Sequence, residues 1–314
     1  MRDRFINTLT RIAADDPDVM LLTADLGFGV LTDFAARFPR QYLNVGVAEQ
    51  NMTGVAAGLA LSGRHVFTYS IANFPTLRCL EQVRNDICYH GLPVTIVAVG
   101  GGLSYGQLGF SHHATEDLAI LRSLAGIVVV APGDDEEAEA ATIALAGHPG
   151  PGYLRLDRAA PAVEGNSGVF ELGRLRLVRD GARVLLISTG ALLNSTVEAA
   201  AGLSEGGVDA LVVSCHTLKP LDSDSLLQLV ASRGVELVVT IEEHTVIGGL
   251  GSAIAETLTS SLNRRIPPIL RLGLPDVLPT MVGSQEYLRK EYGLSPQQIA
   301  DSVFVALRSL HHSI

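Results

Sequence analysis

Glu49 stands in Asn44-Val45-Gly46-Val47-Ala48-Glu49-Gln50-Asn51-Met52, where a β-branched run gives way to a helical pattern. Parallel sheets bind ligands at the carboxyl ends of their strands, so a carboxyl at that junction is placed for acid–base work. An ordinary first helical turn, where the helix dipole favours negative charge, is the alternative. The apolar neighbours Val45, Val47 and Ala48 predict a desolvated carboxyl. Asp25, in Thr23-Ala24-Asp25-Leu26-Gly27, ends another strand pattern and also suits a cap or turn. Tyr69 and Phe74, in Tyr69-Ser70-Ile71-Ala72-Asn73-Phe74, can stack on a planar ligand or serve as plain core aromatics. His112, in Gly109-Phe110-Ser111-His112-His113, can donate to a developing alkoxide or shuttle a proton near neutral pH. Arg2 and Arg158 carry forks that suit phosphate, or are simple surface charges.

Positioning such groups requires a frame, and the frame reads as α/β. Strand patterns at Val19–Thr23, Leu43–Val47, His65–Ser70, Val94–Val99, Ile127–Ala131 and Tyr153–Leu156 alternate with helical ones, which predicts parallel sheets. The helices are expected at Phe5–Ala14, Glu49–Leu61, Thr76–His90, Thr115–Leu124 and Asp134–Ala146. The pattern lapses over Ala159–Gly173, rich in Gly, Pro and small residues, and then resumes. Strands are expected at Val184–Ser188, Ala210–Ser214, Leu237–Ile241 and Ile269–Leu272. Two domains follow, 1–160 and 175–314, joined by a linker over 161–174. With 314 residues, 47% hydrophobic and 18% charged, a sizeable core is expected. A net charge of −10 repels phosphate backbones and anionic lipid, so neither nucleic-acid nor membrane binding is expected. Three widely spaced cysteines give no disulfide framework or zinc ribbon and fit a reducing compartment. With no apolar run near the roughly 18 residues of a membrane span, a cytoplasmic location is expected.

Asn44–Leu61 resembles the signature of the pyrimidine-binding domain of transketolases, a thiamine-diphosphate-dependent family. In order along the chain, Arg78 with Glu81-Gln82-Val83-Arg84-Asn85, Gly102–Gly106 with Gly109–His113, Val130-Ala131-Pro132 and Tyr153-Leu154-Arg155 are similar to that domain. Thr217–Asp222 and Glu242-Glu243-His244 with Gly248–Gly251 are similar to the family's C-terminal domain. The resemblance implies two three-layer α/β domains, a pyrimidine-binding fold followed by a transketolase C-terminal domain. It also implies roles. Glu49 would hydrogen-bond the pyrimidine N1′ and favour the imino tautomer, whose N4′ removes the thiazolium C2 proton; the cofactor does the bond breaking. Phe74 and Tyr69 would stack on that ring, and Asp25 and Leu26 would lie beside the thiazolium. His112 would contact substrate oxygens and Gln107 would also contact the substrate, while Arg158 and Arg2 would hold a distal phosphate.

The family's Gly-Asp-Gly motif with its later Asn, which holds Mg²⁺ and the diphosphate, is absent from the sequence. The resemblance therefore implies the C-terminal half of a split transketolase. A separate subunit would bring the diphosphate and most Mg²⁺ ligands, in an assembly of two such chains with two partners. The expected reaction moves a two-carbon ketol unit from a ketose or ketose phosphate to an aldehyde. Where the family has an acidic pair before its histidine, this chain has Gln107-Leu108. Leucine accepts no hydrogen bond, so hydroxyl recognition there should be lost, and standard pentose phosphates are not the expected substrates. The alternative is the β subunit of a 2-oxoacid dehydrogenase's decarboxylating component, which would require a lipoyl acceptor.

Overall fold

Val19-Met20-Leu21-Leu22-Thr23 is buried at all five positions, the pattern of a strand covered on both faces. It forms β1 (Val19–Thr23) in a computed structural model that describes residues 1–157, 160–163, 168–260 and 266–312. Among those residues, β2 (Tyr42–Asn44), β3 (His65–Ile71), β4 (Val94–Val99), β5 (Val128–Val130) and β6 (Gly152–Leu156) complete a run of parallel strands. Farther along lie β7 (Arg176–Ser188), β8 (Ala210–Ser214), β9 (Thr217–Lys219), β10 (Leu237–Thr245) and β11 (Ile269–Leu274). Two sheets result, in the orders β2-β1-β3-β4-β6-β5-β9 and β11-β10-β7-β8.

Alternation of side chains across each strand fills both faces of each sheet. Phe5, Leu9, Phe34, Phe67 and Leu145 pack on one face of the first sheet; Met52, Val66, Ile87, Ile96 and Leu118 pack on the other. That second cluster continues without a break into Leu185, Ile187, Leu211, Val238 and Ile254 of the second sheet. Leu186, Leu203, Val212, Val239 and Val303 fill the remaining face. Each sheet is thus sandwiched between helices, as expected, and one apolar cluster joins the two.

The local differences from expectation have visible causes. The second strand stops at Asn44 rather than Val47 because the Asn44 side chain turns the chain. Its Oδ1 accepts the N–H groups of Asp25 (2.9 Å) and Gly46 (3.0 Å), and Gly46 takes φ +76°, a conformation open to glycine at little cost. Val47 is left 79% exposed and does not desolvate Glu49. The helix expected over Thr76–His90 is divided into Phe74–Leu77, Leu80–Gln82 and a π-helical turn over Val83–Cys88. Pro75 in the first turn lets the helix start early, and Cys79, at φ −105° and ψ 6°, interrupts it. Thr217–Lys219 falls in the range expected for the C-terminal domain, yet it pairs antiparallel with β5 of the first sheet. This strand and the helices Thr32–Arg37 and Gln285–Glu291 are too short for periodicity to reveal.

Candidate active site

Glu49 opens the helix Glu49–Leu61, just past the turn that ends β2, and is only 3% exposed. Its Oε2 accepts a hydrogen bond from Arg78 Nη1 at 2.8 Å. The Arg78 guanidinium carbon also stands 4.7 Å from the centroid of the Phe74 ring, within cation–π range. Arg78 lies four residues after Phe74 and keeps helical angles (φ −76°, ψ −17°), the spacing that brings two side chains together on one helix face, and its carbonyl is held by Gln50 Nε2 at 2.8 Å. Its side chain is half exposed, so this carboxylate–aromatic slot opens to solvent. Phe74 also meets the imidazole of His112 edge-on, at 5.3 Å between centroids and 63°. One buried carboxylate, one aromatic ring and one imidazole therefore share a small neighbourhood at the carboxyl edge of the first sheet.

The loop carrying His112 is held from two sides. A bridge between Gly102 and Ala114 pinches its base. From the first sheet, Asn73 Nδ2 donates to the Ser111 carbonyl at 2.8 Å, and Ser111 Oγ lies 3.0 Å from His112 Nδ1. From the second sheet, buried Glu243 receives the Leu103 N–H on Oε1 at 2.6 Å. Gln285 Nε2 bonds both Glu243 Oε1 (2.9 Å) and Asp157 Oδ1 (3.0 Å); Arg289 pairs with Glu243, and Ser104 donates to Asp157. Arg155, buried, pairs with Asp117 at 3.1 Å and donates to the Ala114 and Glu243 carbonyls. Asp117 and Glu243 thus each find an arginine, and Asp157 is satisfied by the Ser104 and Gln285 donors, so burial of these charges is tolerated. His113, next in the loop, is 2% exposed, and burial lowers its pKa below the usual imidazole range.

The other expected site residues are more scattered. Asp25 is half-buried at φ +55°, an uncommon region for a residue with a side chain, and exchanges hydrogen bonds with Asn44. Leu26 is half-buried, its carbonyl accepting Thr23 Oγ1 at 3.0 Å. Tyr69 requires a correction: it faces the core, 4% exposed, with its ring 6.3 Å from Phe5. Strand alternation places it with Phe67 in the cluster under the helix Arg2–Asp15, and burial raises its phenol pKa. Of the two aromatics expected to stack, Phe74 is the one that lies beside Glu49's partner Arg78 and His112. Gln107 is exposed in a 3₁₀ turn over Gly106–Leu108. Arg2 bonds Asp3 at 2.9 Å, and its charge acts on Tyr69 and Tyr105. Arg158 lies outside the described residues. Among the described residues no group of three or more His, Cys, Asp or Glu side chains is placed to hold a metal ion, and no helix is long and apolar enough to cross a membrane.

Sequence reasoning passed over Arg78, Asn73, Glu243, Gln285 and Arg289 as site residues. Arg78 and Glu243 sat in motifs that marked the resemblance without declaring a contact, and nothing local connects Gln285 to a loop 181 residues away.

Comparison with known proteins agrees with this layout. Residues 1–162 match the transketolase pyrimidine-binding domain, and residues 173–299 match the transketolase C-terminal domain. The chain is 35% identical to an apulose-4-phosphate transketolase subunit of Phocaeicola vulgatus, covering 95% of this chain and 94% of that one. It is 36% identical to a 6-deoxy-6-sulfo-D-fructose transketolase subunit of Clostridium sp. strain MSTE9, covering 95% and 92%. A solved split-gene transketolase, an inactive β4 tetramer, superposes with a TM-score of 0.86 at 36% identity, covering 98% of this chain and 97% of that one.

Proposed function

Because the chain belongs to the transketolase family over both of its sheets, we propose that it is the subunit of a split transketolase that contributes the pyrimidine half of the active site. The observation that carries this reading is the convergence of Glu49, Phe74 and His112 at one sheet edge. The slot fits an aminopyrimidine by its own chemistry: a planar, hydrogen-bonding guanidinium already rests between the carboxylate and the ring. When bound, thiamine diphosphate supplies the carbanion chemistry that makes and breaks the carbon–carbon bond.

The chain's residues have separable tasks in this reading. Glu49 Oε2 binds the pyrimidine edge and holds the proton that sets the ring's tautomer. Phe74 covers one face of the ring and excludes water from it. Asp25 and Leu26, at the end of β1, border the thiazolium side. His112 Nε2 donates to, or takes a proton from, an oxygen of the substrate where negative charge develops. Gln107 is assigned to the substrate in the loop before His112, and Arg2 and Arg158 to a distal phosphate, all three from resemblance. The two named relatives act on a ketose phosphate and a sulfo-ketose, which supports a ketose donor with an anionic tail for this chain.

A second subunit is assigned the diphosphate site and most of the Mg²⁺ ligands, in a cytoplasmic two-plus-two assembly with the division of this chain kept at 161–174. The structural neighbour's inactivity as a β4 tetramer supports that requirement. The relatives named above are transketolase subunits, so the 2-oxoacid dehydrogenase alternative is not favoured. The test is reconstitution with the partner subunit, thiamine diphosphate, Mg²⁺ and a ketose phosphate donor. Glu49→Gln should reduce aldehyde-dependent ketol transfer by about 10²-fold or more; transfer at the wild-type rate overturns the assignment.

A further inference from the structure

Arg78 touches the two groups that the proposed reading gives to the cofactor's pyrimidine, and it touches them in the two ways that ring would use. Its Nη1 donates to Glu49 Oε2 at 2.8 Å, and its guanidinium carbon lies 4.7 Å from the Phe74 centroid. A guanidinium and an aminopyrimidine are both planar π systems whose nitrogen edge pairs with a carboxyl group. Resting on the reading above, we propose that Arg78 is a place-holder: it occupies the Glu49–Phe74 slot in the chain without cofactor and swings out when the pyrimidine enters.

The surroundings allow that motion. Glu49 is 3% exposed, and a buried carboxylate without a partner is strongly disfavoured; Arg78 supplies the partner until another arrives. The Arg78 side chain is 50% exposed, so it can leave toward solvent without opening a cavity. Its backbone stays fixed, since Gln50 Nε2 holds the Arg78 carbonyl at 2.8 Å. The pyrimidine must therefore displace an internal competitor before it gains its own contacts. Binding of the pyrimidine end alone is weakened, and the additional hold on the diphosphate supplied by the second subunit tips the exchange. Cofactor capture is thereby coupled to assembly.

The experiment uses the assembled pair with Mg²⁺, comparing wild type, Arg78→Ala and Arg78→Gln by calorimetric titration with thiamine diphosphate and by thermal unfolding. Removing a competitor of this strength should tighten binding of Arg78→Ala by about three- to tenfold. Its Tm without cofactor should fall, and saturating cofactor should raise Tm by more than it does in wild type. Arg78→Gln keeps an amide against Glu49 and should lie between; it also serves if the alanine variant does not fold. Equal or weaker binding by the variants, with normal binding by wild type, overturns the place-holder and leaves the proposed function standing. Absence of cofactor binding in wild type and variants alike overturns the proposed function, and the place-holder with it.

Discussion

Leu103 donates its backbone N–H to Glu243 Oε1 at 2.6 Å, across 140 positions of chain. The bond runs from the loop after β4 to β10, and so from one sheet to the other. Gly102 makes the approach possible: at φ +59°, a Cβ on it would lie 2.6 Å from Glu243 Oε1. The same carboxylate holds Gln285 and Arg289, so the second sheet and the helix Gln285–Glu291 fix the base of the loop that presents His112.

Glu243→Ala should therefore be costly. It leaves the Leu103 N–H and the Arg289 charge without their acceptor in a site where Glu243 is 4% exposed. Breaking a buried ion pair from one side typically costs about 3–5 kcal/mol. Urea unfolding should show a loss in that range, with faster amide hydrogen exchange at Leu103. A loss below about 1 kcal/mol would mean that the carboxylate does not hold the loop.

The frame was legible because its signals are local. Val19–Thr23 and Ala210–Ser214 are observed with the expected bounds, since a fully buried strand is an unbroken apolar run. Glu49 and Phe74 were legible as candidates because a strand end or a helix start announces itself nearby. Their pairing through Arg78 was not: the bond from Arg78 to Glu49 spans 29 positions and joins two separate helices that only packing brings together. Tyr69 misled because strand parity, which sends it to the Phe5 side, was outweighed by its nearness to Phe74 in sequence. Glu243 was hidden most deeply, because its contacts come from sheet packing rather than sequence spacing.

Acid should weaken the fold through His216. This ring is fully buried and stacked on Phe170 at 4.1 Å between centroids, and burial, then the nearby Arg176 charge, lowers its pKa to about 3. The unfolded chain, with an ordinary imidazole near 6.5, binds the proton more readily. Stability from His216 is thus complete above about pH 6.5 and is lost as pH falls toward 3. Glu242, raised to about 7 chiefly by burial, has the opposite sign over pH 4.5–7, so wild type alone is a poor readout. Comparing His216→Phe with wild type at each pH cancels that contribution. From pH 6.5 to 4.5 the variant should gain about 2–3 kcal/mol relative to wild type, measured by denaturant unfolding. A constant difference across that range would contradict a buried neutral imidazole.

Asn73 aims the histidine. Its Nδ2 donates to the Ser111 carbonyl at 2.8 Å, Ser111 Oγ lies 3.0 Å from His112 Nδ1, and Phe74 packs against the imidazole from the neighbouring position. Asn73→Ala removes the bond and frees the loop on its first-sheet side, while the Glu243 attachment remains. A hydrogen bond of this kind contributes about 1 kcal/mol, so kcat of the assembled enzyme should fall about fivefold. Asn73→Asp should be worse, because it sets a carboxylate against the carbonyl oxygen that the amide now satisfies. It should reduce kcat by about tenfold or more, with thiamine diphosphate affinity unchanged, because Glu49 and Phe74 are untouched. Equal kcat for the two variants would show that the donated bond does not orient His112; a matching loss of cofactor affinity would show instead that Asn73 acts through Phe74.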